Sequence, residues 1–398
     1  MSTYAIILQE TPVRLWGLSS SERLSRQLKE IGGVKILSPV DEIPTSGQVL
    51  LLNGKFLFEI RTLSGFLNRK NSMLICPGDT SVAAVIVDAA DAQLAIACFS
   101  DQQTPEAKSL ETITPADLGA FNEMLRSAQA PLLEPVSEER KQQLESRLYG
   151  NAYRGITDLI TKFLWPRPAK KAVHLAAHLG ISPNMVTSVG LLLVLAACYL
   201  FLKGDYLAGL AAGWMMTFLD TVDGKLARVT VQSSKFGHLY DHIIDLVHPP
   251  FWYILWGMSL ADFQSVLGLD RGQMYDLIIL GYVLGRIVEG LFPLLGDCSV
   301  FTWKPFDAYF RLVTARRNPC LIILTFSVFI GRPGWGFIAV TFWTVLTTMV
   351  MIIRLLQGLI ARISGGPLQS WLSAVDVAQG PNARAFRIFG STRSAHAG

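Results

Sequence analysis

The sequence predicts a polytopic α-helical membrane protein, with six transmembrane helices behind an N-terminal soluble α/β domain. Three observations predict it. Of 398 residues, 51% are hydrophobic and 17% charged, and the mean hydropathy is +0.36, too apolar for an ordinary soluble enzyme. Long apolar stretches fill the chain beyond residue 181, and short aliphatic, β-branched runs occupy the part before residue 140. The net charge of +4 is mild and its basic residues are scattered, which argues against nucleic acid as a partner. Cys76, Cys98, Cys198, Cys298 and Cys320 are odd in number and widely spaced. They read as ordinary thiols, with neither a disulfide framework nor a zinc site.

Residues 1–135 form the expected α/β domain. "YAIILQ", "VLLLN", "MLIC", "VAAVIVD" and "LAIAC" read as strands, and "SSERLSRQLKEIG" as a helix that Ser20 or Ser21 could cap. The opening "MSTYAIILQETP" lacks a basic region and cleavage site, so this segment is expected to stay cytoplasmic. Residues 136–180 read as a linker and an interfacial juxtamembrane helix, with Tyr153, Phe163 and Trp165 among Lys162, Arg167, Lys170 and Lys171. The membrane domain is expected over 181–365, with spans near 185–203, 206–226, 239–261, 274–296, 318–337 and 336–360. The last two meet at the turn-forming "GRPGWG". Residues 366–398 remain as a cytoplasmic tail.

Orientation follows from Lys and Arg. Lys162, Arg167, Lys170 and Lys171 precede the first span, Lys225, Arg228 and Lys235 flank the second connection, and Lys304, Arg311, Arg316 and Arg317 the fourth. Arg362 follows the last span. The opposite connections hold only Lys203, Arg271 and Arg332. Both termini and the active site are therefore expected on the cytoplasmic side.

The chemistry concentrates in "DTVDGKLARVTVQSSKFGHLYDHIID". Asp220 and Asp223 lie about 60° apart around one helix, and Asp241 and Asp245 about 40° apart around the next. An ionised carboxylate at a helix centre costs roughly 2.5 to 3.5 kcal/mol, so four facing lipid would cost about 10 kcal/mol. They must face water, partners or metal. Oxygen donors without an obligatory His or Cys suit Mg²⁺ or Mn²⁺, and this much charge suits two ions. The bland alternative is an ion-pair network with Lys225, Arg228 and Lys235.

The run fits D-x2-D-G-x2-A-R-x8-G-x3-D-x3-D, with Asp220, Asp223, Gly224, Ala227, Arg228, Gly237, Asp241 and Asp245 at the fixed positions. It resembles the signature of the CDP-alcohol phosphotransferase family, and "ISPNMVT" at 181–187 resembles the entry to that family's first span. The resemblance covers roughly 150–365. It implies transfer of a substituted phosphate from a CDP-linked donor to an acceptor hydroxyl in phospholipid synthesis, with release of CMP. Asp220, Asp223, Asp241 and Asp245 would hold metal, and Asp245 would also act as general base. Asp220, Gly224, Ala227, Arg228 and Gly237 would contact the nucleotide or its diphosphate. Asn184 and Thr187 are either nucleotide contacts or cap the first span; Arg316 and Arg317 are either an acceptor-phosphate pocket or a basic flank. His238, His242 and His248 read as supporting or packing residues, with His242 and His238 the next candidates for the base. CDP-diacylglycerol, with a small polar alcohol or its phosphate as acceptor, is the first choice of substrates. A soluble CDP-alcohol donating to a lipid alcohol is the second. The expected setting is the lipid bilayer, and the expected assembly a homodimer.

The first 135 residues weakly resemble a nucleotidyltransferase fused to some family members. "QETPVRLWGLSSSERL" offers Arg14 and Gly17 without G-x-G, and "VLLLNGKFLF" puts Asn53, Gly54 and Lys55 where acid is wanted. These departures favour a degenerate binding domain over a bifunctional enzyme that makes its own CDP-alcohol. A transporter would call for repeated halves, and no second aspartate cluster is found. A catalytically dead scaffold would have little reason to keep all four carboxylates.

Overall fold

A computed structural model describes residues 2–389 except 39–40, 78–80, 102–109, 119–120, 123–126, 129–131, 154, 262 and 374–379. The chain folds as two compact units. The first is Met1–Glu123, Ala128–Ala152 and Ala227–Ser233; the second is Met124–Ser127, Tyr153–Leu226 and Ser234–Gly398.

The first unit is built on a mixed sheet in the order β2-β1-β3-β6-β5-β7. Its strands are β1 (Thr3–Leu8), β2 (Val34–Leu37), β3 (Gln48–Asn53), β5 (Ser72–Ile75), β6 (Val82–Asp88) and β7 (Glu111–Ile113), while β4 (Phe56–Phe58) pairs with Leu133–Pro135. β1 runs parallel to β2 and β3, and β6 antiparallel to β3 and β5. Alternation along the strands loads both faces. Ala5, Leu50, Leu52, Ala84 and Ile86 pack on one side with Leu24 and Leu28 of α1 (Ser20–Ile31) and with Leu63 and Phe66 of α2 (Ile60–Leu67). Ile6, Val49, Leu51, Val85 and Val87 pack on the other with Ala92 and Ala95 of α3 (Ala92–Asp101). Covering both faces explains why β3 is buried at all six positions.

Two local expectations are corrected here. "LAIAC" lies inside α3 and is helical; its apolar run fits either state, and the alanines of 92–97 favour helix. The cap of α1 is Ser19, whose hydroxyl accepts from the Glu22 amide while Glu22 reaches back to the Ser19 amide. Glu22 sits at the third helical position only if Ser19 caps, which decides between adjacent serines. The helix α4 (Lys141–Asn151) completes this unit: its Glu145 accepts from the Trp16 backbone N–H at 2.8 Å. The connection 227–233 also counts with it, and Arg26 donates to the Thr230 carbonyl at 2.8 Å.

The second unit is helical. Its helices are α5 (Pro166–His178), α6 (Pro183–Lys203), α7 (Tyr206–Val229), α8 (Lys235–Met258), α9 (Arg271–Leu291), α10 (Pro305–Val313), α11 (Arg317–Phe329) and α12 (Pro333–Gly365). Ser182 caps α6, Gly204 ends it at φ 77°, and Ser234 caps α8. Phe201, Trp252, Trp256, Leu321 and Phe337 form the core, whereas Leu192, Leu280 and Ile360 lie exposed on α6, α9 and α12. Outward apolar side chains on long helices suit a lipid surround.

By length and composition, three helical stretches among the described residues could cross a membrane: Pro183–Lys203, Arg271–Leu295 and Pro333–Gly365. A fourth is added if α10 and α11, bent by 43°, count as one. α7 and α8, 24 residues each, are as long but carry the four aspartates. The fifth stretch expected near 318–337 is shorter than its apolar run, because α11 stops at Phe329 before Gly331 at φ 68° and Pro333.

Candidate active site

α7 carries Asp220 and Asp223, and α8 carries Asp241 and Asp245. One carboxylate oxygen from each of Asp220, Asp223 and Asp241 lies within 4.8 Å of the others. Opposite oxygens around an octahedral Mg²⁺ stand about 4.2 Å apart, so three oxygens this close fit a divalent ion, and all are hard donors. Asp223 is 4% exposed and is held by the Thr187 hydroxyl, which donates to its Oδ2 at 2.6 Å. Such an outer contact fixes a ligating carboxylate.

Asp245 lies one turn beyond Asp241. Arg317, the first residue of α11, donates through Nη1 to Asp245 Oδ1 and through Nη2 to Asp220 Oδ2, both at 2.5 Å. One guanidinium thus ties the second aspartate of α8 to the first of α7. Its position is set from behind: the Asn318 amide donates to Asp158 Oδ1 at 2.9 Å, and Asp158 also accepts from the backbone N–H groups of Ile160 and Thr161. Asp158 went unnoticed in the sequence. Its only signal is an acid inside the largely apolar 155–165.

The other candidates are distributed as follows. Ser182 provides the cap of α6, so neither Asn184 nor Thr187 is needed for that purpose. A Cβ at Gly237 would sit 2.5 Å from the Asn184 Oδ1, so any larger residue there would push the Asn184 side chain aside. Gly224 lies on α7 beside Asp223; Ala227 and Arg228 close the helix within the segment that counts with the first unit. Arg316 pairs with Glu289 and does not share the contact of Arg317. Lys225 lies 3.9 Å from the centre of the Tyr153 ring. His238 and His242 stack on each other, while buried His248 donates from Nδ1 to the Ile244 carbonyl and packs on Trp252. These contacts make His248 a packing residue.

The CDP-alcohol phosphatidyltransferase family profile matches residues 180–291, a span that includes α6 to α9 and all four aspartates. Residues 180–291 form a CDP-alcohol phosphatidyltransferase domain. Over 118 residues the chain is 39% identical to archaetidylinositol phosphate synthase of Pyrococcus horikoshii, covering 29% of this chain and 57% of that protein. Over 174 residues it is 30% identical to cholinephosphotransferase 1 of Xenopus laevis, covering 40% of each chain. The chain thus spans between two fifths and three fifths of these relatives' lengths. Arg317 lies beyond the matched phosphatidyltransferase span and reaches back into it.

Proposed function

We infer that the second unit transfers a substituted phosphate from a CDP-linked donor to an acceptor hydroxyl, releasing CMP, within the bilayer. The observation that carries this reading is the gathering of the Asp220, Asp223 and Asp241 oxygens within 4.8 Å. In the transfer, the acceptor oxygen bonds to the donor's β-phosphorus while the bond from that phosphorus to the oxygen leaving with CMP breaks. Asp245, one turn beyond Asp241, takes the hydroxyl proton. Bound Mg²⁺ or Mn²⁺, two ions in all, would neutralise the diphosphate and the leaving phosphate. Asp220, Asp223 and Asp241 would hold them, with Thr187 orienting Asp223. Arg317 orients Asp245 and Asp220 and offers positive charge to phosphate oxygens.

CDP-diacylglycerol is the favoured donor, with a small polar alcohol or its phosphate as acceptor. The relative named for an inositol phosphate lipid supports it, at 39% identity against 30% for the cholinephosphotransferase. The six crossings are α6, α7, α8, α9, the bent pair α10–α11, and α12, with both termini cytoplasmic. We assign no nucleotidyl transfer to the first unit, because Asn53 is occupied in a turn: its Oδ1 accepts from the Lys55 N–H and its Nδ2 donates to the Val82 carbonyl.

Asparagine at Asp220, Asp223 or Asp241, or excess chelator, should cut CMP release by about 10³-fold or more while the protein stays folded. Unchanged turnover in those variants would refute the assignment.

A further inference from the structure

The helices that carry the four aspartates, α7 and α8, are joined by residues 230–234, and 227–233 count with the first unit. Val229, Thr230 and Val231 are 1, 5 and 7% exposed, unusually buried for a connection between helices. The Gln232 N–H donates to the Ala227 carbonyl at 2.8 Å, which closes α7 with the six-to-one bond of a Schellman end. That end puts the second residue past the helix in the left-handed region, where glycine is usual. Here it is Val231, at φ 49°. A β-branched residue is strained there and stays only where its surroundings hold it.

The first unit supplies a hold from α1. Arg26 donates through Nη1 to the Thr230 carbonyl at 2.8 Å, across 204 residues of sequence. Thr230 caps the end of α7, and its carbonyl is one of those a helix end leaves without an intrahelical partner. A cation at this point also answers the negative end of the helix dipole. Asp223 lies one helical face back along α7 from Thr230, about 10 Å along the axis at 1.5 Å per residue. A tilt of about 10° at the turn would move its carboxylate by roughly 2 Å, whereas a binding constellation tolerates about 0.5 Å.

We propose that Arg26 is a positioning residue for the metal-dependent transfer: by capping α7 it holds the strained turn at Val231 closed and keeps Asp220 and Asp223 in register with Asp241 and Asp245. The proposal rests on the metal-dependent reading of the second unit. It gives the first unit a part in the reaction that requires no chemistry of its own, since Arg26 touches only a backbone carbonyl.

The test uses the full chain in detergent and two readouts: amide hydrogen exchange over 227–233 in chelator, and Mn²⁺ affinity by calorimetric titration. Arg26→Met should speed exchange over 227–233 about tenfold while β3 stays protected, and should weaken Mn²⁺ binding about tenfold. Arg26→Lys, which can still donate to the carbonyl, should restore most of both. Adding Val231→Gly to Arg26→Met should restore Mn²⁺ affinity, because glycine takes this φ without a brace; a role of Arg26 confined to folding the first unit would gain nothing from that change. Val231→Pro cannot adopt this φ and opens the same turn without altering α1, so it decides the matter if Arg26→Met fails to fold. Unchanged exchange in Arg26→Met, faster exchange with unchanged Mn²⁺ affinity, or wild-type Mn²⁺ affinity in Val231→Pro would overturn the positioning role alone. Equal Mn²⁺ binding by wild type and Asp223→Asn would instead overturn the reading of the second unit, and the proposal with it.

Discussion

Arg23 in the first unit and Arg317 in the second are both buried, and they meet opposite fates. Arg317 is clamped by Asp220 and Asp245, two carboxylates on two helices. Arg23 has a backbone carbonyl for its one hydrogen bond. The difference teaches that a buried cation reports on the anions its surroundings lack as much as on those present. Around Arg317 four carboxylates outnumber the charge of the bound guanidinium and call for further cations. Around Arg23 the answer is weaker, a backbone carbonyl and the field of the nearby Glu145 carboxylate, with no ion pair.

The comparison breaks first at Asp245. If Arg317 serves to aim a proton acceptor, Asp245→Asn should lower turnover by roughly 10² to 10⁴ while the CDP-linked donor still binds with Mg²⁺ present. Single-turnover transfer and donor titration on the same variant decide this. Lost donor binding would make Asp245 chiefly a metal ligand, and near-normal transfer would move the base to His242 or His238.

A smaller effect is expected from Arg317→Met. Removing one partner of a buried ion pair costs about 3 to 5 kcal/mol, and here it leaves Asp220 and Asp245 facing each other. The melting temperature should fall in chelator and recover in part with Mg²⁺, since a divalent ion answers the same charge. An equal fall with and without Mg²⁺ would show that Arg317 braces α11 and has no electrostatic link to the cluster. The smallest effect belongs to the helix that bears Arg23. Ser19→Ala removes the cap of α1 and should cost about 1 kcal/mol, read by denaturant unfolding. An unchanged unfolding midpoint in Ser19→Ala would mean that the capping box contributes nothing to α1.

Much of the site was legible because its information is local. Asp220 and Asp223, or Asp241 and Asp245, fall on one helix face by spacing alone, and the cost of exposing them to lipid already demanded a partner or a metal. The sheet strands were legible where β-branched residues run together over a strand's length, as in "VAAVIVD". "LAIAC" was not, since a short apolar run fits either period and only its packing through Ala95 and Ile96 against β6 and β3 settles it. Arg316 and Arg317 were indistinguishable in sequence. One turned to Glu289 and the other to the aspartates.

By itself, then, the sequence determined the helical repeat of the carboxylates, the switch from sheet to long apolar helix near residue 140, and the oxygen-rich character of the site. Each depends on residues within a few turns of one another. Only the tertiary structure decided that Thr187 holds Asp223, that Arg317 joins Asp220 to Asp245 from 97 and 72 residues away, and that Asp158 steadies Asn318 beside it. It also left Arg23 without a carboxylate. Those outcomes depend on how helices and loops pack, and the chain between such residues carries no periodic signal that would disclose the contact.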